Sequence, residues 1–308
     1  MQKLYSNGKL LITGEYVVLD GALSLAIPTK FGQSLTVEPV DIPKISWKSF
    51  NSDGSIWFED TFPLHEMASS LTPRNEVSQR IIQILNTAKI LNPDFLNTKS
   101  GFKISTDLTF PKNWGLGTSS TLINNISQWA NVNAFELLEK TFGGSGYDIA
   151  CAQNNLPITY QLKLSDCTQR DRSIIKVDFN PNFKDHLYFI YLNKKQNSRD
   201  GIASYNDNKH NIESVVSEIN HITTQIIDCK TLEAFEILIT QHESIISKTI
   251  KQKTVKDILF SDFNGSIKSL GAWGGDFVLA TSQQNPTSYF KNKGFDVIVP
   301  YKDMVLDF

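Results

Sequence analysis

Pro111-Lys-Asn-Trp-Gly-Leu-Gly-Thr-Ser-Ser120 sets two glycines two residues apart and follows them with three hydroxyl side chains in a row. Behind it Leu122, Ile123, Ile126, Trp129 and Ala130 recur at helical spacing. Ahead of it Phe102, Ile104 and Leu108 lie in a strand-like run that ends at Pro111. The pattern is therefore strand, loop, helix. Glycine lets a backbone turn sharply and approach a ligand closely. A helix start aims unpaired N–H groups and a positive dipole end at whatever the loop holds. The hydroxyls add donors and a magnesium ligand. Together these describe a seat for phosphate. The Walker pattern is absent, because no glycine here precedes Lys-Ser or Lys-Thr in that frame. The dinucleotide fingerprint fails at Ser120, where its third glycine belongs, and the acidic residue that follows, Glu136, falls inside a helical pattern. A helix N-terminus with ordinary turn glycines is the plain alternative.

Three more glycine clusters accompany this loop. Gly8-Lys-Leu-Leu-Ile-Thr-Gly-Glu-Tyr16 lies near the N-terminus, Gly143-Gly-Ser-Gly-Tyr-Asp-Ile-Ala150 follows the helices, and Gly271-Ala-Trp-Gly-Gly-Asp-Phe277 lies near the C-terminus. In the order and spacing of these segments the chain resembles the GHMP kinases, named for galactokinase, homoserine kinase, mevalonate kinase and phosphomevalonate kinase. The Gly8–Gly21 segment looks like their first motif, Gly115–Ser120 like their nucleotide-phosphate loop, and Gly271–Phe277 like their third motif. Glu15-Tyr16 and Gly144–Ala150 resemble most the mevalonate and phosphomevalonate kinases.

That resemblance implies an α+β, two-domain fold. A ribosomal-protein-S5-like N-terminal domain would span 1–183 and a ferredoxin-like C-terminal domain 184–308. It implies an ATP- and magnesium-dependent kinase acting on an alcohol or phosphate acceptor in isoprenoid precursor synthesis. Diphosphomevalonate decarboxylase and a non-catalytic nucleotide-binding protein of the same fold are the alternatives. By motif position Asp148 is the catalytic aspartate and Lys9 the active-site lysine. Gly115, Leu116, Gly117, Thr118, Ser119 and Ser120 would bind the nucleotide. Ser119 and Glu139 would bind magnesium, with Glu136 competing for the carboxylate role. Glu15, Tyr16, Lys195, Ser198, Arg199, Gly274 and Gly275 would face the acceptor. Each has a plainer alternative: a turn aspartate, a solvated lysine, an N-cap serine, a charged turn at 194–199. Trp273 departs from the family, which usually has glycine there. The indole either narrows the loop and walls off part of the substrate site, or points away and packs between domains.

Composition sets outer limits. The chain has 308 residues, a formal net charge of −2, 40% hydrophobic and 20% charged residues. This suits a two-domain globular protein and gives no electrostatic case for nucleic acid or an anionic membrane. No run approaches the roughly 18 apolar residues of a membrane span, and the N-terminus does not read as a signal peptide. Cys151, Cys167 and Cys229 are scattered, with no C-x-x-C pair, as in a reducing cytoplasm. The expectation is a cytoplasmic monomer or homodimer with a small-molecule substrate.

Along the chain, 9–40 reads as strand-rich. Residues 41–73 read as irregular, either a β excursion over the nucleotide site or a surface hairpin with aromatic anchors. Val77, Ile81, Ile84, Leu85 and Ala88 mark a helix. Residues 157–165 and 173–179 read as strands, and 180–185 as a turn-rich break. Beyond it the pattern predicts a strand at 187–192, two amphipathic helices and strands after 271 and at 295–299, a helix layer on an antiparallel sheet.

Overall fold

The computed structural model describes residues 1–64, 75–163, 171–195 and 198–307, with backbone alone at 198–200. Cys167 lies outside the described residues, as do the side chains of Ser198 and Arg199. The chain forms two compact units, neither contiguous in sequence: residues 1–8, 31–112 and 116–153 make the first, and 9–30, 113–115 and 154–308 the second. Strands β1 (Gln2–Leu11) and β2 (Ser24–Val40) contribute residues to both.

In the first unit the sheet runs β4-β3-β5-β2, with β3 (Lys44–Phe50), β4 (Ile56–Pro63) and β5 (Gly101–Leu108). β3 runs parallel to β5, and the other pairs are antiparallel. Helices α1 (Glu76–Leu91), α2 (Thr118–Ala130), α3 (Ala134–Thr141) and α4 (Tyr147–Ala152) complete the unit. Of the segment read as irregular, 44–63 is the β3–β4 hairpin, and 65–73 lie outside the described residues. Three of its aromatic residues are core rather than surface anchors: Trp47, Phe58 and Phe62 are buried with Ile81, Ile84, Leu85, Ile123 and Ile126. The period-2 burial of β3 explains this, since alternate side chains of a strand point to one face. Helix ends follow local chemistry. The Asn75 side chain caps α1 through the Ser78 amide, and Asn133 caps α3 through the amides of Phe135 and Glu136. Asn131, left-handed at φ 52°, ends α2.

In the second unit β6 (Ile158–Lys163) pairs with Ser24–Ala26 of β2 and with β7 (Asp171–Lys176). A separate antiparallel sheet runs β11-β8-β10-β9, from β8 (Leu187–Tyr191), β9 (Ile267–Ser269), β10 (Phe277–Thr281) and β11 (Ile298–Pro300). The helices are α5 (Ser198–Asn208), α6 (Ile212–Asp228), α7 (Leu232–Ile250), α8 (Val255–Leu259), α9 (Thr287–Asn292) and α10 (Tyr301–Met304). α6 and α7 pack together and α7 lies on β9, the helix layer on antiparallel strands that the sequence predicts. Residues 9–24 are pinned to these helices. Thr223 donates to Thr13 at 2.8 Å, Leu23 N–H reaches Asn220 at 2.6 Å, and Gly14 N–H reaches His242 at 2.9 Å. Gly14 is left-handed (φ 89°), and a Cβ there would strike the Ser24 hydroxyl, so only glycine serves.

Candidate functional site

In the first unit the end of the glycine loop is a helix start. Gly117 is left-handed at φ 97° and turns the chain into α2, its carbonyl accepting the Thr121 amide at 2.9 Å. Ser120 is buried and its hydroxyl donates to the Gly117 carbonyl at 2.9 Å, so it holds the turn rather than facing outward. Ser119 is exposed. The direction of α2 is fixed by buried polar contacts. Thr121 donates to Gln33 at 2.8 Å, Ser6 to Asn125 at 2.7 Å, Asn124 to Ser6 at 2.8 Å, and Gln153 to Asn124 at 3.0 Å. The last bond ties α2 to the end of α4. Asp148 sits in the first turn of α4, behind left-handed Gly146, and its carboxylate accepts the Ile149 amide at 3.0 Å. Glu139 is exposed on α3. Among the described residues no three His, Cys, Asp or Glu side chains gather to hold a metal.

The second unit assembles the other half of the sequence-predicted set. Lys9 Nζ donates to the Gly115 carbonyl at 3.1 Å. Gly115 is left-handed (φ 69°), and a Cβ on it would run into the Asp276 carboxylate. Asp276 is itself left-handed at φ 52°. Its amide donates to the Lys194 carbonyl at 2.7 Å, and its carbonyl accepts the Leu192 amide at 2.8 Å. The third motif is thereby stitched to the end of β8. Trp114 packs edge-on against Phe277, 5.3 Å between ring centres, and Tyr191 donates to the Asn113 carbonyl at 3.1 Å. Lys9, Gly115, Lys194 and Asp276 are one cluster. Lys195 and Gly274 are exposed beside these segments, and Gly275 is buried.

Glu15 and Tyr16 have other occupations. Glu15 is 1% exposed, with one oxygen 2.5 Å from Lys268 Nζ and the other 3.4 Å from His242 Nε2. The neighbouring Glu243 accepts from the Ser269 amide and hydroxyl. Burial raises the Glu15 carboxyl to about 7, because the charged form loses water and Lys268 only partly offsets that loss. Burial raises Glu243 too, and lowers His242 well below its usual range. One ammonium thus faces two carboxylates and a neutral imidazole whose Nε2 accepts the Gly14 amide. Tyr16 is buried, and its hydroxyl accepts the Trp273 amide at 3.0 Å. Trp273 is 4% exposed and packs in a core with Tyr16, Tyr205, Ile219, Ile246 and Ile250.

Mevalonate kinase from Methanococcus jannaschii aligns over 100% of this chain and 98% of its own, with a TM-score of 0.72 at 16% identity. The chain has the GHMP kinase fold. A second GHMP kinase, phosphomevalonate kinase from Streptococcus pneumoniae in complex with phosphomevalonate and AMPPNP, aligns over 100% of this chain and 99% of its own (TM-score 0.69, 17% identity). A third, galactokinase from Lactococcus lactis complexed with galactose, aligns over 95% and 88% (TM-score 0.66, 13% identity). No protein-family model matches the sequence, and no curated protein matches it. No helix among the described residues is long and apolar enough to cross a membrane.

Sequence reasoning did not single out Asp276, Lys268, His242, Glu243 or Trp114. Asp276 stood inside the quoted third motif, so its carboxyl was a usable signal. Lys268 and His242 carried none, since only the fold brings them to Glu15.

Proposed function

We propose that the protein is an ATP-dependent phosphotransferase for a small alcohol or phosphate acceptor, with phosphomevalonate and mevalonate as first candidates. The bond from Lys9 to the Gly115 carbonyl carries this reading, because it ties a half-buried cation to the loop that suits phosphate. Phosphoryl transfer requires phosphates held in line and charge neutralised, with little covalent help from the protein. In this reading residues 115–120 seat the nucleotide, with the amides at the start of α2 facing phosphate. Lys9 offsets charge on the transferring group. Asp148 orients the acceptor oxygen and takes its proton; if the acceptor is an ionised phosphate, it acts through position and charge. Lys195, Ser198, Arg199, Gly274 and Gly275 are assigned to the acceptor. Glu15 and Tyr16 act through other groups, because Lys268 holds one Glu15 oxygen and the Tyr16 hydroxyl accepts the Trp273 amide.

Magnesium binds through one or two protein oxygens together with substrate phosphates and water. The exposed Ser119 hydroxyl suits such a place, and Glu139 is the carboxylate assigned beside it. The reading also takes 1–183 and 184–308 as the two domains, and a cytoplasmic monomer or homodimer as the working form. The test is ADP release by purified protein with Mg-ATP and, in turn, mevalonate, phosphomevalonate, diphosphomevalonate, homoserine and galactose. Acceptor-dependent ADP release, with the phosphorylated acceptor found by mass, supports the proposal. Nucleotide binding without turnover on any acceptor overturns it in favour of a non-catalytic role, and carbon dioxide release from diphosphomevalonate in favour of a decarboxylase.

A further inference from the structure

Tyr16 has an uncommon backbone, φ 63° and ψ −53°, outside the regions open to bulky residues without compensation. Three contacts hold it there. Its hydroxyl accepts the Trp273 amide at 3.0 Å. Its ring stacks on Tyr205 of α5, 5.7 Å between centres and 24° between planes. Its edge fills the space beside Gly201 of α5, where a Cβ would come 2.8 Å from the hydroxyl and 3.1 Å from Cε1. Tyr205 in turn donates to Asp20 at 2.5 Å, and Lys209 reaches the same carboxylate at 2.8 and 3.1 Å. Asp20 closes the short 3-10 turn (Val17–Asp20) that Tyr16 opens. The first motif therefore grips α5 at Gly201 and Tyr205 and the adjoining Lys209, and the third motif at Trp273.

Gly201 is the telling member. Glycine inside a helix costs about 1 kcal/mol against alanine. Here no left-handed φ demands it, and what a side chain would meet is the Tyr16 ring. We propose that Tyr16 is a positioning residue for acceptor binding, its hydroxyl fixing the third glycine loop in register with α5. The proposal rests on the kinase reading above, and on the assignment of Lys195, Ser198, Arg199, Gly274 and Gly275 to the acceptor. The latch holds the Trp273 side of the loop, whereas the Asp276 end, which packs on Gly115, is held separately by its bonds to Lys194 and Leu192.

The experiment uses Tyr16→Phe, Gly201→Ala and the double variant in the full chain. Two readouts are taken: amide exchange by mass spectrometry over 270–277, and separate Michaelis constants for acceptor and ATP. Tyr16→Phe keeps the stack but removes the hydroxyl that accepts the Trp273 amide. Exchange over 270–277 should rise roughly two- to tenfold, the worth of one hydrogen bond. The acceptor's Michaelis constant should rise by a similar factor while that of ATP holds. Gly201→Ala should do the same although alanine favours the helix. The double variant should fall short of the sum of the two singles, because the nearest atom that alanine meets, the hydroxyl, is gone while the ring edge remains. Unchanged exchange in Tyr16→Phe, or strictly additive singles, overturns the latch. A changed exchange with equal effects on both Michaelis constants reduces Tyr16 to a structural role. Absence of turnover on every acceptor removes the positioning role together with the kinase reading, while the exchange result still decides the latch.

Discussion

Glu15→Gln preserves the shape of the side chain and an oxygen for Lys268, and removes one titrating proton. In the native protein burial raises this carboxyl from 4.5 to about 7. Between those values the folded chain retains a proton that the unfolded chain has released, so stability falls as pH rises through the window. From about pH 5 to about pH 7.5 the loss from this one group integrates to roughly 2 kcal/mol. Glu243 shifts in the same direction but is present in both proteins, so it largely cancels in the comparison. Glutamine suffers no such loss. The stability gap between variant and native protein should therefore move by roughly 2 kcal/mol in the variant's favour across that range. Urea unfolding at matched pH steps measures it. With a slope of about 2 kcal/mol per molar, the midpoints should shift relative to one another by about 1 M. A gap that stays constant with pH would falsify the burial argument. A gap moving the other way would mean that the Lys268 ammonium outweighs the lost hydration and that the folded carboxyl lies below 4.5.

Gly115→Ala places a methyl against the Asp276 carboxylate at a left-handed position. Nucleotide affinity, measured by calorimetry with AMPPNP, should fall at least tenfold while the far-UV spectrum holds; native affinity would remove this loop from the nucleotide site. Asp148→Asn should lower turnover by orders of magnitude with ATP affinity nearly unchanged, since the carboxylate acts on the acceptor and not on nucleotide docking. Equal losses in both would argue for a structural role in α4. Trp273→Ala empties a buried site and should cost about 3–5 kcal/mol in chemical denaturation; a loss under about 1 kcal/mol would contradict its place in the core.

The segments legible in the sequence are those whose burial follows a period of their own. α1, α2, α6 and α7 each carry a long apolar stripe; α1, α6 and α7 start within a residue of where that stripe begins, and α2 starts four residues before Leu122, at the glycine turn. The loop before α2 was legible because glycine at a left-handed turn has few substitutes. α5 was not. Its sequence, Ser198-Arg-Asp-Gly-Ile-Ala-Ser-Tyr-Asn-Asp-Asn208, has no stripe, and it is held by tertiary contacts from Tyr205, Gly201 and the adjoining Lys209 to the first motif. β9 is three residues long and offers no pattern at all.

His242 shows the deeper limit. It falls on the apolar stripe of α7 with Leu238, Ile239, Ile245 and Ile246, where spacing alone makes it one more inward residue. It is inward, and fully buried, but its ring nitrogen receives the Gly14 amide and faces Glu15. A single apolar replacement there would leave the buried Gly14 amide without the ring nitrogen that accepts it. Such an orphaned group costs about 1–3 kcal/mol. The first motif's turn at Gly14–Glu15 is thus set by residues more than two hundred positions away. The glycine fixes what the backbone is able to do there, and His242 and Lys268 fix what it does.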